Sequence, residues 1–207
     1  MTAAARLQAI LASLGQPPLP GAQALAFETY LELLLRWNAR VNLSAIHDQE
    51  GILRRHFVES ICCARLLPAG LTTLLDYGSG AGFPGIPCAI CRPELAVTLA
   101  ESQSRKAAFL QEAARTLPLQ CTVYPGRVQA MEPSLLFDVV TLRAVDRMQE
   151  ACASALTRVK PSGWLAIMAT QQSLAGLVEG LQPVAWRSPT PLPGTEQQVL
   201  LLGRKLQ

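Results

Sequence analysis

The part of this chain best suited to bind a small molecule is a glycine-rich stretch near its middle. Asp76 and Tyr77 end the run TTLLDY and are followed by Gly78, Gly80 and Gly82. Glycines at alternate positions allow a tight turn and let a ligand lie against the backbone without interference from Cβ atoms. In an open α/β sheet, a turn of this kind at the carboxyl end of a strand marks a ligand site. We therefore expect a bound small molecule at this loop.

Two classes of ligand fit the loop. Residues 80–85 match the G-x-G-x-x-G pattern of dinucleotide sites, in which helix amides hold a pyrophosphate. Pro84 and Pro87 remove amide donors from that turn, and the carboxylate of Asp76 would repel phosphates. A ligand with an ammonium and a sulfonium and no phosphate suits Asp76 better. The loop therefore favours S-adenosylmethionine, with NAD as the alternative.

Two further positions could contact a nucleoside. Glu101 lies 19 residues after Gly82, at the end of the apolar run 97–100. A carboxylate there can accept hydrogen bonds from both ribose hydroxyls, a role that occurs in adenosylmethionine sites and in NAD sites alike. Val128 and Gln129 follow the next apolar run, where an adenine would lie, and Gln129 or backbone amides could bind the edge of the base. These residues support a nucleoside ligand without choosing one.

The elements that must position these residues fall into two regions. Residues 1–69 carry apolar side chains at helical spacing and are predicted to form an N-terminal helical cap. From residue 70 to residue 207, short apolar runs alternate with helical stretches, which predicts an α/β fold with a parallel, doubly wound sheet and helices on both faces. The predicted strands are TTLLDY, VTLA, CTVY, FDVVTL, WLAIMA and QVLLLG, and the predicted helices are 84–91, 103–116, 146–159 and 171–181.

Composition excludes several classes of protein. The chain has 207 residues, of which 50% are apolar and 16% charged, so it can bury a core and is not disordered. Its mean hydropathy is +0.24, but charges interrupt every apolar run before the ~20 residues that span a bilayer. Six cysteines, two of them adjacent, make a poor disulfide framework, and the N-terminal segment reads as a helix of the fold. We expect a cytoplasmic protein without membrane contact.

Five segments, which include the glycine loop, resemble the sequence motifs of one family. This family is the 16S ribosomal RNA guanine 7-methyltransferases, also called the glucose-inhibited division protein B family. The segments are WNARVNLSAI (37–46), RH (55–56), DYGSGAGFPGIP (76–87), RPEL (92–95) and FDVVTLRA (137–144). The resemblance covers most of the chain. It implies a helical extension on a class I, Rossmann-like methyltransferase domain, with S-adenosylmethionine as donor and a guanosine of 16S ribosomal RNA, free or in the small subunit, as acceptor.

Carried over residue by residue, the resemblance implies that the cofactor contacts Gly78, Phe83, Glu101, Val128, Gln129 and Arg143. Three places depart from the family pattern. Tyr77 stands in place of a small apolar residue, and Glu101 replaces the usual Asp, so its carboxylate reaches one methylene further. Residues 103–106 read QSRK in place of a more typical Leu-Gly-Lys-Arg. All three departures keep the chemical groups that the site needs.

The chemistry of the acceptor agrees with this resemblance. The N7 atom of guanine has an in-plane lone pair and no hydrogen, so it can attack a methyl group without a general base. Exocyclic-amine methyltransferases carry an Asn/Asp-Pro-Pro-aromatic motif after the fourth strand, whereas residues 141–144 read TLRA. Arg143 is then the candidate catalytic residue, expected beside the methyl group, where it orients the cofactor or holds the base or its phosphate.

Other polar residues receive simpler interpretations. His56 could face the cleft, although a single histidine in a helix is more often structural. Cys88 and Cys91 fit helix packing better than a metal site.

We expect the protein to be a monomer. A small-molecule methyltransferase on the same fold is the alternative function, and an NAD-binding oxidoreductase the weaker one. The candidate RNA contacts are Arg36, Arg40, Arg54, Arg55, Arg143 and Arg147.

Overall fold

A mixed sheet of eight strands forms the centre of the computed structural model, which describes residues 1–194 and 197–207. The strands are β1 (Thr73–Tyr77), β2 (Ala96–Ala100), β3 (Cys121–Tyr124), β4 (Phe137–Arg143), β5 (Val159–Thr170), β6 (Val184–Trp186), β7 (Thr190–Pro191) and β8 (Gln198–Lys205). Their order is β3-β2-β1-β4-β5-β8-β6, and β7 pairs with β8. Strands β1 to β5 are parallel, and β8 is antiparallel to its neighbours.

The helices cover both faces of this sheet. They are α1 (Ala3–Ser13), α2 (Gly21–Asn38), α3 (Gln49–Gly51), α4 (Glu59–Leu66), α5 (Gly85–Cys91), α6 (Ser104–Thr116), α7 (Met148–Leu156) and α8 (Leu174–Val178). A π-helical segment, Ile52–Val58, joins α3 to α4 without a break. The apolar side chains of α1, α2, α4, α5 and α6 form one core cluster with one face of the sheet, and those of α7 and α8 form a second cluster with the other face.

The predicted α/β fold class is confirmed, with differences at the carboxyl end. All six predicted strands are present, but β6 and β7 were not predicted because three and two residues are too few to show alternation. The last strand is antiparallel, whereas strand–helix alternation predicted a parallel sheet. The predicted helix 171–181 is a 3₁₀ turn, Gln171–Ser173, followed by the short α8.

The N-terminal helices pack directly onto the first sheet face. Side chains from α1 and α2 belong to the same apolar cluster as those from β1 and β2, so burial of this cluster fixes the helices against the sheet. The predicted division after residue 69 falls in the connection between α4 and β1. Asp48 caps α3, because its carboxylate accepts a hydrogen bond from the Gly51 amide at 2.7 Å. This cap sets where the helix that carries the π-helical segment begins.

Candidate functional site

A cavity of about 660 Å³ opens where the parallel strands end. Its walls come from the segments that follow β1, β2, β3 and β4, at the point where the strand order reverses between β1 and β4. Open α/β sheets bind ligands at this position. The N-terminal region closes one side of the cavity with the loop residues 43–46 and with Arg55 and His56. The site therefore combines the sheet with the helical cap.

The glycine loop contributes Gly78 and Gly80 to the cavity wall. Their φ angles are +69° and +57°, a left-handed conformation that favours glycine. A Cβ atom on Gly78 would lie 3.2 Å from Val145, whereas one on Gly80 would meet nothing closer than 3.9 Å. Both glycines therefore line the cavity, with open space beside Gly80 and Val145 close to Gly78.

Asp76 lies below the loop, away from the cavity wall. Its carboxylate is 1% exposed and accepts hydrogen bonds from the Thr141 hydroxyl at 2.8 Å and the Gly85 amide at 3.2 Å. Desolvation raises the pKa of Asp76 to about 6, and these hydrogen bonds oppose the rise. The structure therefore places this predicted ligand contact where it holds the start of α5 against β1 and β4.

Gly82 also lies outside the cavity wall, at the contact between the loop and α2. A Cβ atom there would come within 2.5 Å of Ile86 and 2.8 Å of the Tyr30 hydroxyl. The buried Tyr30 donates that hydroxyl to the Ala81 carbonyl. Helical spacing indicated only that Tyr30 belongs to an apolar stripe. In the structure, it ties the N-terminal helices to the glycine loop.

Glu101 lines the cavity at the end of β2 and is 6% exposed. One carboxylate oxygen accepts the Gly80 amide at 2.9 Å, and the other accepts the Gln103 amide at 2.7 Å. Each oxygen retains a lone pair, so the carboxylate can still accept hydrogen bonds from the hydroxyls of a ribose. The same side chain thus shapes the glycine loop and presents acceptors to the cavity.

The predicted adenine position also lies on the wall. Val128 is buried, and the exposed Gln129 donates an amide hydrogen to the Tyr77 hydroxyl at 2.6 Å. Arg158, which the sequence did not single out, donates to the carbonyls of Val128 at 3.1 Å and Met131 at 2.9 Å. The 3₁₀ turn that carries Val128 and Gln129 is therefore held from beneath by a buried guanidinium.

Arg143 reaches from the end of β4 to the helical cap. Its guanidinium pairs with Glu59 at 2.7 Å and donates to the Ser60 hydroxyl at 3.2 Å and the Arg55 carbonyl at 3.0 Å. It also lies 5.8 Å from the centre of the Phe83 ring. Burial lowers the pKa of Arg143, and Glu59 opposes this effect. The side chain is 13% exposed and lines the cavity, but most of its hydrogen bonds go to the protein.

His56 is held on three sides. Its Nδ1 lies 3.0 Å from the Arg143 guanidinium, its Nε2 lies 2.7 Å from the Ser44 hydroxyl, and its ring stacks on Phe83 with centroids 4.7 Å apart. Burial, Arg143 and Arg55 lower the pKa of His56 to about 3. The ring is therefore neutral at physiological pH, and both nitrogens are engaged.

The predicted RNA-contacting arginines separate into two groups. Arg55 and Arg147 line the cavity with Arg143, and the structure adds Lys106 and Arg127, which the sequence did not indicate. Arg36 and Arg40 lie at a different cavity, of about 320 Å³, where Arg36 pairs with Glu112. Arg54 pairs with Glu50 at 2.7 Å. We call Arg55, Lys106, Arg127 and Arg147 the basic rim.

Other features of the described residues bear on the class of site. Cys88 is buried and Cys91 half-buried in α5, and burial raises the pKa of Cys91 to about 12. Within residues 1–194 and 197–207, no three side chains of the His, Cys, Asp and Glu types come together as metal ligands do. In the same part of the chain, no helix has the length and apolar character that crossing a membrane requires.

The cavity fits the predicted methyl donor. Its volume falls within the ~300–1,000 Å³ typical of small-molecule sites. The cavity is lined by the backbone of Gly78 and Gly80, the acceptors of Glu101 and the amide of Gln129.

The fold of this chain also has solved counterparts. A Klebsiella pneumoniae protein described as an O-methyltransferase has a TM-score of 0.69 at 15% identity, with 98% of this chain and 97% of that chain covered.

A second solved structure shares the fold over part of the chain. A P. horikoshii protein, TYW2 in complex with MeSAdo, has a TM-score of 0.58 at 16% identity, with 72% of this chain and 62% of that chain covered. The fold is thus that of the class I S-adenosylmethionine-dependent methyltransferases, as predicted.

Sequence comparison identifies the family. A family model described as rRNA small subunit methyltransferase G matches residues 23–187. A relative from Xanthomonas campestris pv. campestris (strain B100), named Ribosomal RNA small subunit methyltransferase G, is 37% identical over 175 residues, which are 81% of this chain and 79% of the relative. The resemblance in the sequence motifs is therefore confirmed. This chain belongs to the rRNA small subunit methyltransferase G family.

Proposed function

We propose that this protein transfers the methyl group of S-adenosylmethionine to the N7 atom of a guanosine in 16S ribosomal RNA. Its family membership carries the coarser part of this function: the chain is an S-adenosylmethionine-dependent methyltransferase of small-subunit ribosomal RNA. The choice of N7 follows the family resemblance of the sequence motifs, and the engagement of both nitrogens of His56 is the structural observation that supports it. A histidine in this state has no free lone pair with which to remove a proton from an acceptor, and N7 of guanine requires no such step.

The residues on the sheet side of the cavity support S-adenosylmethionine as the methyl donor. Gly78 and Gly80 would let the donor approach the backbone, Glu101 would accept hydrogen bonds from the ribose hydroxyls, and Val128 and Gln129 would contact the adenine. When bound, the donor supplies a methyl group on a positively charged sulfur. We propose that Asp76 and Gly82, which lie outside the cavity wall, act on the donor through the shape of the loop.

Arg143 and Phe83 join the two sides of the cavity. Because its guanidinium bonds to the carbonyl of Arg55 and to Glu59 and Ser60, we propose that Arg143 fixes the distance between the end of β4 and the helix made of the π-helical segment and α4. Phe83 packs against the ring of His56 and lies 5.8 Å from this guanidinium. Alignment of the acceptor with the methyl group is the main source of rate in a reaction without a general base.

The positive charge of the basic rim supports a nucleic acid as the methyl acceptor. Arg55, Arg127 and Arg147 are exposed at the mouth of the cavity, and Lys106 is half-buried beside them. Phosphate contacts with such side chains position RNA without reading its sequence. Among the described residues on the cavity wall, the carboxylates are Glu101, engaged by two amides, and the exposed Asp146. We further propose that the enzyme acts in the cytoplasm as a monomer.

Incubation with labelled S-adenosylmethionine tests this proposal. The acceptors are small ribosomal subunits, free 16S RNA and a mixture of small metabolites, and the labelled product is digested to nucleosides. We expect 7-methylguanosine from the subunit or from the free RNA. Label on another atom of a nucleoside would contradict the choice of N7, and label on a metabolite alone would favour the small-molecule alternative.

A further inference from the structure

We infer that Ser44 reads the target base as a fixed hydrogen-bond donor to the O6 atom of guanine, an inference that rests on the proposed function. Ser44 lies in the loop between α2 and α3 and lines the cavity. Neither the sequence motif nor the family name assigns a role to its hydroxyl group. The argument follows a chain of three side chains, Arg143, His56 and Ser44.

The first step fixes the tautomer of His56. A guanidinium has only donors, so the His56 Nδ1 that lies 3.0 Å from Arg143 must be the acceptor. The ring is half-buried beside two arginines, which lower its pKa, and is neutral, so it carries a single hydrogen. That hydrogen is therefore on Nε2, which donates it to the Ser44 hydroxyl oxygen at 2.7 Å.

The second step fixes the hydroxyl of Ser44. Its oxygen also accepts the backbone amide of Ile46 at 3.1 Å. A serine hydroxyl has two acceptor lone pairs and one hydrogen, so His56 and Ile46 occupy both lone pairs and the hydrogen is left to donate. Among residues 1–194 and 197–207, no hydrogen-bond acceptor for that hydrogen is present. The loop itself is held in place, because the Asn38 side chain accepts the amides of Leu43 at 2.9 Å and Ser44 at 3.3 Å.

The third step matches this donor to a base. Guanine presents two acceptors on the edge that carries the reacting atom, N7 and O6, whereas adenine presents N7 and an amino donor. N7 must keep its lone pair for the methyl group, so O6 is the acceptor left for a protein donor. A hydroxyl that can only donate pairs with O6 of guanine and leaves the amino group of adenine without an acceptor. Ser44 is thus placed to select guanine.

The test compares guanosine with 2-aminopurine, which keeps N7 and has a hydrogen in place of O6. The methylated position is first mapped, and 16S RNA is then ligated from fragments that carry either base there. We expect the wild-type protein to prefer guanosine in kcat/KM, because 2-aminopurine lacks O6 and its N7 has a different intrinsic nucleophilicity. Ser44→Ala should lower this ratio by about three- to tenfold, the range of one neutral hydrogen bond, while Ser44→Thr keeps it because it retains the hydroxyl.

A second variant tests His56 as a positioning residue. His56→Phe keeps an aromatic ring beside Phe83 and removes both nitrogens, so the Ser44 hydroxyl is free to rotate. We expect the preference for guanosine to fall even though the hydroxyl is present. Ser134→Ala, at an exposed serine that does not line the cavity, is the matched control and should keep the wild-type ratio.

The outcomes separate the inference from the proposed function. If Ser44→Ala retains the wild-type preference for guanosine, the inference is wrong, whatever its effect on the rate. If wild-type product from guanosine is not 7-methylguanosine, the proposed function fails first. Identification of the product does not depend on the ratio, so the two failures are distinguishable.

Discussion

The two walls of the cavity are built in different ways. The sheet wall consists of the glycine loop, Glu101 and residues 128–129, and its shape comes from backbone geometry and amide hydrogen bonds. The helical wall consists of Ser44, Arg55 and His56, and a network of side chains around the buried Arg143 holds it. The difference indicates that the donor side depends on local chain conformation, whereas the acceptor side depends on charges brought together across the fold.

The largest expected effect comes from removing one partner of the Arg143–Glu59 pair. Glu59 is 1% exposed, so Glu59→Ala leaves the guanidinium buried without its carboxylate. We expect a loss of about 3–5 kcal/mol in the free energy of unfolding, measured in urea. The double variant Glu59→Met/Arg143→Met removes both charges and should recover most of that loss.

The same variants test whether the two walls depend on different interactions. If the side chains around Arg143 hold only the helical wall, the folded double variant should bind S-adenosylmethionine like the wild type. It should then transfer methyl groups at least tenfold more slowly. Weakened cofactor binding, measured by calorimetry, would show instead that the sheet wall depends on the same charges.

The next effect concerns the glycine loop. Gly82→Ala introduces a Cβ atom 2.5 Å from Ile86 at a φ of +93°, so we expect a loss of about 2–4 kcal/mol in the free energy of unfolding. Gly80→Ala has the same left-handed strain at a φ of +57° but open space around the new atom, and should cost about 1–2 kcal/mol. Equal losses in urea unfolding would mean that packing of the loop against Ile86 and Tyr30 does not shape it.

A smaller effect on binding is expected at Glu101. Glu101→Gln keeps an acceptor for one of the two backbone amides, Gly80 or Gln103, and removes the charge offered to the ribose hydroxyls. Hydrogen bonds to charged groups contribute about 1.5–3 kcal/mol, so the Kd for S-adenosylmethionine should rise by roughly ten- to hundredfold. Calorimetry measures this change, and Glu94→Gln, an exposed carboxylate outside the cavity, is the control. An unchanged Kd would remove Glu101 from the donor site.

The smallest effects are expected at the basic rim. Arg127→Gln and Arg147→Gln should each lower the slope of log affinity for RNA against log salt concentration by about 0.7 if each residue contacts one phosphate of a single strand. Binding of S-adenosylmethionine should not change.

The same salt titration tests the arginines at the second cavity. Arg36→Gln and Arg40→Gln are also predicted from the sequence to weaken RNA binding. If they lower the slope as much as the rim variants do, the RNA extends beyond the cavity mouth to the outer surface of α2. If only the rim variants act, the RNA is confined to the mouth of the cavity.

The sequence by itself determined the parts of this protein that depend on local rules. Strand–helix alternation gave the α/β fold, and glycine spacing located the loop, because conformational freedom at Gly78 and Gly80 is a property of the residue type. The motifs 76–87 and 137–144 indicate the family from the sequence alone. Each of these signals lies within a few neighbouring residues.

The tertiary structure decided which residues face the cavity and what they contact. Asp76 and Gly82 belong to the glycine motif, but the packing of α2 and α5 directs them away from the cavity wall. Arg143 pairs with Glu59, 84 positions away, and the tautomer of His56 follows from a second contact of the same guanidinium, with Nδ1 of His56. A hydrogen-bonding role depends on the partner, and the partners here become neighbours only when the helical cap packs onto the sheet.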